Sequence, residues 1–368
     1  MSANNALRRV LILVPTLRGG GAERVIVTLL RFLDRAKFKL TLTVLDTRDA
    51  AYLSEVPDDV ELIDLGARRV RAALFQVYRL IWQRRPDVIL STLGQMNLAL
   101  AFLRAGLPNS VRYIARETVI VSYLPRVFTI PFWWFWAYRR LYKKIDLVVC
   151  LSHEMRRDLI DNFNCPAEKT VVINNPVDVE RIQMLATEGT GVQQGVDAGN
   201  VQLVAAGSLI KMKGFDLLIE ALALSRNSRL RLTILGDGPL LEPLQRLAAE
   251  RGLASVVKFV GFQKNPFAFF ARADAFVFSS RFEGFPNVVL EALACGTPVI
   301  AMPSPGGVRE ILQGIPGCFL ADEVSASALA KIFDNFEGGY RLPANAVEPY
   351  QAASITKRYE QELLRAST

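Results

Sequence analysis

The chain has 368 residues, 51% of them apolar and 22% charged, which suits two domains of ordinary size and excludes wholesale disorder. Four cysteines (Cys150, Cys165, Cys295, Cys318) are too few and too scattered for a disulfide scaffold, and fit a reducing cytosol; a single histidine, His153, argues against a His-ligated zinc site. The net charge of +8 is uneven: residues 1–175 hold 26 Lys/Arg against 16 Asp/Glu and the remainder 18 against 20, so the front half suits an anionic surface or ligand.

The first predicted element is a short buried strand, Val10–Val14, closed by Pro15. With Met1–Arg9 ahead of it and Arg18 soon after, the run is too short for a signal core. A glycine turn, Gly19-Gly20-Gly21, leads into a helix over Glu23–Leu33, with apolar residues at helical spacing. Strands follow at Leu40–Leu45, Asp87–Ser91, Val111–Ala115 and Asp146–Leu151, and Ser152 is placed to cap the next helix. Strands alternating with helices imply a parallel sheet covered on both faces. A strand and turn at Val172–Asp178 reads as the link between domains, and 186–200 as a loose surface excursion. The pattern then restarts, with strands at Leu203–Ala206, Leu232–Leu235, Val257–Val260, Ala275–Phe278 and Pro298–Ala301 and a terminal helix over Pro349–Ala366.

The predicted architecture is α/β: two Rossmann-like, doubly wound domains facing one another, with the ligand in the cleft beyond the carboxyl ends of their strands. The boundaries expected are 1–175, 176–345, and a C-terminal helix, 346–368, packing back on the first domain.

The most specific stretch runs from Ser279 to Pro298 as strand end, loop, helix and stop. Pro286 suits a first helical turn, and Gly296 with Pro298 ends the helix. Glu283 lies just before that helix and Glu291 inside it, with seven residues between them. Backbone amides at Asn287 and Val288 would offer an anion the positive end of the helix dipole. Amides for a phosphate flanked by carboxylates for hydroxyls describe a sugar-phosphate ligand; the plain alternative is a surface acid and a solvated helix position.

The string from Glu283 to Ile300, EGFPNVVLEALACGTPVI, resembles the signature of the family 4 glycosyltransferases, retaining enzymes of the two-domain GT-B fold. Leu17–Val25 (LRGGGAERV), Asn175–Asp178 (NPVD), Gly207–Leu218 (GSLIKMKGFDLL), Gly236–Pro239 (GDGP) and Pro305–Gly307 are similar to further motifs of that family, so the resemblance covers nearly the whole chain. It implies that Glu283 binds hydroxyls of the transferred sugar, Glu291 the ribose, and Lys213 the diphosphate leaving group. The backbone of Gly20, Gly21, Asn287 and Val288 would cradle that diphosphate. Ser208, Gly238, Gly284 and Phe285 complete the implied donor site, with the base near Val260 and Phe262. No metal or other cofactor is implied, the nucleotide sugar being a substrate. One departure is Ser208, which stands after Gly207 where the family usually carries an arginine; Lys211, Arg18 and Arg281 are the candidates to replace that charge.

Arg116 and Glu117 are the candidates for acceptor contact, the alternative being a structural salt bridge. His153 is a third, the alternative being an ordinary residue at a helix start. Residues 128–144 hold three of the four tryptophans and end in Arg139-Arg140 and Lys143-Lys144. This segment reads as a peripheral patch for an anionic membrane, as a buried helix, or as both, and it is too short to span a bilayer, which takes about 20 residues.

The expected function is transfer of a hexose or N-acetylhexosamine from a nucleotide diphosphate sugar, UDP-sugars favoured, to a glycan acceptor. That acceptor is expected to be polyprenyl- or otherwise lipid-linked, in surface polysaccharide or lipopolysaccharide biosynthesis on the inner face of the cytoplasmic membrane. The alternatives are a nucleotide-sugar epimerase on the same fold and a non-catalytic membrane-associated scaffold with a decayed site. No nucleic-acid partner is expected, since no helix-turn-helix, zinc or RRM-type signature occurs.

Overall fold

The computed structural model describes residues 7–126, 129–188, 199–343 and 345–366. Most of the excursion expected at 186–200, residue 128 of the aromatic segment, and Met1–Ala6 of the opening lie outside the described residues. The chain divides into two compact units, residues 1–176 with 350–368, and residues 177–349.

Unit 1 is built on seven parallel strands: β1 (Arg8–Val14), β2 (Phe38–Val44), β3 (Glu61–Asp64), β4 (Val88–Thr92), β5 (Arg112–Arg116), β6 (Leu147–Cys150) and β7 (Thr170–Val172). Their order is β3-β2-β1-β4-β5-β6-β7. Val10 of β1 sits level with Leu40 on one neighbour and Val88 on the other. Val10–Val14 are all at most 1% exposed, as a β-branched and aliphatic run with helices on both faces requires. The helices are α1 (Gly21–Phe32), α2 (Val70–Arg84), α3 (Gly94–Leu103), α4 (Trp133–Leu141) and α5 (His153–Phe163).

Unit 2 has six parallel strands: β8 (Val201–Ala206), β9 (Leu230–Leu235), β10 (Val257–Phe259), β11 (Ala275–Phe278), β12 (Val299–Ala301) and β13 (Phe319–Leu320), ordered β10-β9-β8-β11-β12-β13. Its helices are α6 (Val179–Glu188), α7 (Phe215–Leu224), α8 (Leu241–Glu250), α9 (Phe267–Arg272), α10 (Asn287–Ala294), α11 (Val308–Leu312) and α12 (Ala326–Asp334).

The last helix, α13 (Ala352–Leu364), belongs to unit 1. Ile355, Tyr359 and Leu363 enter the core formed by β1, β2 and α1. Arg8 donates to the Leu363 carbonyl (2.9 Å), Lys37 pairs with Glu360 (2.9 Å) and Arg112 with Glu362 (3.3 Å).

Each sheet reverses its winding once, between β1 and β4 in unit 1 and between β8 and β11 in unit 2. The connections leaving these paired strands diverge to opposite sides of the sheet, which opens a crevice at their carboxyl ends.

Candidate active site

In unit 2, the two loops at the reversal carry the candidate side chains Lys213 and Glu283. After β8 the chain passes Gly207 and an exposed Ser208 into a single 3-10 turn, Lys211–Lys213, and Gly214 at φ +66° opens α7. A Cβ on Gly214 would overlap the Ser279 carbonyl oxygen, so only glycine lets this loop close on the one after β11. The two loops are then stitched together. The Arg281 N–H donates to the Met212 carbonyl (2.8 Å), and Ser279 Oγ donates to the Lys213 carbonyl (2.9 Å). The Arg281 guanidinium donates to the Lys211 carbonyl (2.8 Å) and to both carboxylate oxygens of Asp216 (2.7 Å each).

The result is an ion pair between Lys213 Nζ and Glu283 Oε1, with 20% and 15% of the two side chains exposed. Ser280 Oγ donates to the same oxygen at 3.2 Å. The Glu283 N–H donates to the Pro305 carbonyl (3.0 Å). A Cβ on Gly306 would overlap the Glu283 carbonyl, and one on Gly307 the Phe285 ring. Thus the Pro305-Gly306-Gly307 turn fits under Glu283–Phe285 because it has no side chains there. A largely buried ammonium fixed beside a carboxylate can oppose charge developing on a leaving phosphate while the carboxylate accepts hydroxyls.

The other candidates of unit 2 lie on the loops at the same edge of the sheet. Pro286 caps α10, whose first turn holds Asn287 and Val288; Glu291 follows one turn later and is 7% exposed. After β9, Gly238 lies so close to Leu209 that a Cβ would come within 2.7 Å of its backbone. After β10, Val260 is half-buried and Phe262 is exposed.

Of the candidates to replace the arginine absent at Ser208, Arg281 is held by Asp216, and the exposed Arg18 is held by Asp46 (3.3 Å) and the Arg48 carbonyl (3.3 Å). Burial works to raise the Asp216 carboxyl, but the hydrogen bonds and charge of Arg281 outweigh it and hold the group below the usual carboxylate range. Arg281 is a brace under Lys213. The Lys211 side chain is exposed.

Three candidates of unit 1 have partners within the unit. The amides of Gly19 and Gly20 donate to Glu23 Oε2 (2.9 Å each), the carboxylate three residues beyond Gly20. Gly21 is the first residue of α1. Arg116 is fully buried, donates to Thr92 (3.0 Å) and Asn175, and lies beside Tyr359 of α13; burial works against its charge. Glu117 is equally buried and accepts the Thr118 N–H (3.0 Å) and the hydroxyls of Tyr138 (3.2 Å) and Tyr142. These two side chains are engaged in the interior of unit 1, and they form no salt bridge with one another. His153 is exposed at the start of α5, where Ser152 caps the helix by accepting the Met155 N–H (3.2 Å).

Two features at these loops were not legible beforehand. Leu93, between β4 and α3, holds φ +72°, a strained value for a side-chain-bearing residue that costs on the order of 1–3 kcal/mol. Ser304, beside Pro305, is 1% exposed, and its hydroxyl has no hydrogen-bond partner among the described residues. A leucine or a serine in a loop carries no sequence signal for either.

Paired Rossmann-like units with this loop apparatus define a GT-B glycosyltransferase. A model described as Glycosyltransferase Family 4 matches residues 19–181, and one described as Glycosyl transferases group 1 matches residues 192–349. The chain belongs to the family 4 glycosyltransferases. It is similar, at 29% identity over 83% of both chains, to the N-acetylgalactosamine-N,N'-diacetylbacillosaminyl-diphospho-undecaprenol 4-alpha-N-acetylgalactosaminyltransferase of Campylobacter jejuni. It is 28% identical to an uncharacterized glycosyltransferase of Methanocaldococcus jannaschii, the match spanning 65% of this chain and 61% of that relative. Among solved structures, Anabaena HepE in complex with UDP is similar with a TM-score of 0.74 at 22% identity, covering 96% of this chain and 99% of that one. The lipopolysaccharide outer core galactosyltransferase WaaB gives a TM-score of 0.74 at 17% identity, covering 96% and 98%; these likenesses carry the fold.

Proposed function

We propose that the protein is a retaining glycosyltransferase that moves a hexose or N-acetylhexosamine from a nucleotide diphosphate sugar, with UDP-sugars favoured, to a lipid-linked glycan acceptor in surface polysaccharide or lipopolysaccharide assembly. The observation that carries the reading is the Lys213–Glu283 pair, fixed between the two loops at the reversal of unit 2. In this reading the bond between the anomeric carbon and the diphosphate oxygen breaks and its electron pair leaves with the diphosphate, while the acceptor hydroxyl oxygen bonds to the anomeric carbon from the same face and its proton passes to the departing diphosphate oxygen. Lys213 and the amide end of α10 meet the charge that develops there, so that no metal takes part. Glu283 accepts hydrogen bonds from the sugar hydroxyls and Glu291 from the ribose. The UDP complex of the HepE neighbour supports the choice of base, and the undecaprenol-linked name of the Campylobacter relative supports the acceptor class.

His153 is left as the acceptor candidate in unit 1. Membrane association rests on α4. Tyr138 and Tyr142 turn inward to Glu117, while Phe132, Trp133 and Trp136 are 92%, 49% and 60% exposed and Arg139, Arg140, Lys143 and Lys144 are exposed. No helix among the described residues is long and apolar enough to cross a membrane, so the association proposed is peripheral, on the inner face of the cytoplasmic membrane.

The test is thermal-shift screening with UDP, GDP and CDP, followed by donor turnover. UDP is expected to raise the melting temperature most, and Lys213→Ala to lower turnover by about 10²-fold or more. No stabilisation by any of the three nucleotides, or near-normal turnover in Lys213→Ala, would remove the reading.

A further inference from the structure

We infer that the outer face of α2 is a second anionic-membrane contact of this protein, beside α4; this deepens the peripheral-membrane reading above.

Residues 65–86 contain six arginines and no aspartate or glutamate. Helix α2 buries Ala73, Val77, Leu80 and Ile81. Arg71, Phe75, Arg79 and Trp82, spaced by four, four and three, form a single stripe on the opposite side. Phe75 is 73% exposed and Trp82 43%. Arg68 and Arg69 extend the exposed charge at the start of the helix. Arg84 pairs with Glu61, but the guanidinium groups of Arg68, Arg69, Arg71 and Arg79 make no hydrogen bond or ion pair with any described residue.

The placement of these arginines opposes the local stability of the helix. The positive end of a helix dipole favours carboxylates in the first turn and a Ser, Thr, Asp or Asn cap. Here the cap is Arg69, with no side-chain capping bond, and the first turn has no acid. No described residue of unit 1 meets these guanidinium groups, and their charge is complementary to an external anion. A partner that offered only anions would leave Phe75 in water. A bilayer surface takes both groups at once: lipid phosphates meet the guanidinium groups, and the headgroup–acyl boundary takes the rings. Helix α3 packs against both α2 and α4 and exposes Phe102 at 64%, so the aromatic and basic residues of three neighbouring helices belong to one layer of unit 1.

The experiment is co-sedimentation of the full chain with vesicles of phosphatidylglycerol and phosphatidylcholine in equal parts, against phosphatidylcholine alone. It compares wild type, Arg71→Gln/Arg79→Gln, Phe75→Ser and Trp133→Ser/Trp136→Ser, with far-ultraviolet melting to verify folding. Wild type is expected to bind the anionic vesicles, less so in high salt. At about a fivefold loss per basic residue removed, the double arginine variant should partition on the order of twentyfold more weakly with its melting curve unchanged, and Phe75→Ser should also bind more weakly. If wild type binds and both α2 variants bind equally well, the inference falls while the α4 reading stands. If only the tryptophan variant retains wild-type binding, the α4 reading falls and the inference stands. Absence of wild-type binding to anionic vesicles, or capture of the basic face by polyuridylate with no vesicle binding, overturns both.

Discussion

Asp216 and Arg281 tie together the two loops that carry Lys213 and Glu283. The family-level expectation set a second positive charge on the phosphates, and Arg281, two residues before Glu283, was one candidate to supply it. Its guanidinium is instead committed to Asp216 and to the Lys211 carbonyl, which leaves Lys213 as the cation at Glu283 and makes Arg281 a positioning residue. Asp216→Asn removes one charge of the brace without touching Lys213 or Glu283. It is expected to lower turnover by about tenfold, within the range for a small misplacement of a fixed group, while UDP binding changes little. Arg281→Lys, which loses the fork that spans both carboxylate oxygens, should behave alike, and the double variant should be no worse than either single one, because both act through one contact. Additive losses in turnover would instead give Arg281 a direct role at the phosphates. The pair also titrates with a definite sign. Since the folded-state carboxyl of Asp216 is held low, its stabilising contribution is present above its ordinary pKa of 3.8 and is lost as the pH falls through the lower folded value.

At the scale of elements, the strands and helices of the motif regions were legible because their signals are local. Alternation of β-branched runs with helical periodicity marked β1, β8, β9 and β11 to within a few residues, and the Pro286-to-Gly296 punctuation bracketed α10. The edge strands β3 and β13 escaped notice because a four-residue and a two-residue strand, each with an exposed face, lack a continuous apolar run. The sequence of helix α4 suits a core helix, a membrane patch, or both. Its division into an inner tyrosine face and an outer tryptophan face is set by Glu117, which sits at the end of β5 and engages both tyrosines. The loop–loop contact that carries Lys213 to Glu283 depends on one glycine. Gly214→Ala places a side chain at φ +66° and against the Ser279 carbonyl. The expected cost is at least about 1 kcal/mol, seen as a fall in melting temperature of about 2–4 °C per kcal/mol, with a loss of turnover larger than the loss of stability implies. A variant as active and as stable as wild type would show that the two loops close without this approach.

At the scale of the molecule, unit 1 is assembled from the two ends of the described chain. Helix α13 inserts Ile355, Tyr359 and Leu363 into the core beside β1, β2 and α1, and its Glu360 and Glu362 meet Lys37 and Arg112. Each buried side chain of this size is worth about 1.5–3 kcal/mol, so losing three approaches the whole stability of a domain, about 5–15 kcal/mol. Truncation after Pro349 is therefore expected to unfold unit 1, read as loss of amide-exchange protection across β1–β7, while unit 2, which contains none of α13, keeps its protection. Retained protection in unit 1 would show that its core closes without the helix. The sequence by itself determined the two Rossmann-like halves, the family, and the kinds of residue at the carboxyl ends of the strands, because hydrophobic period, caps and motif strings are written in neighbouring positions. Only the tertiary structure decided that Lys213 meets Glu283, that Arg281 turns away to Asp216, that Glu23 takes the glycine-loop amides, and that Arg116 and Glu117 are interior. Each of these is a charge finding its nearest partner, and which groups are near is fixed by sheet order and loop packing across tens of residues of chain.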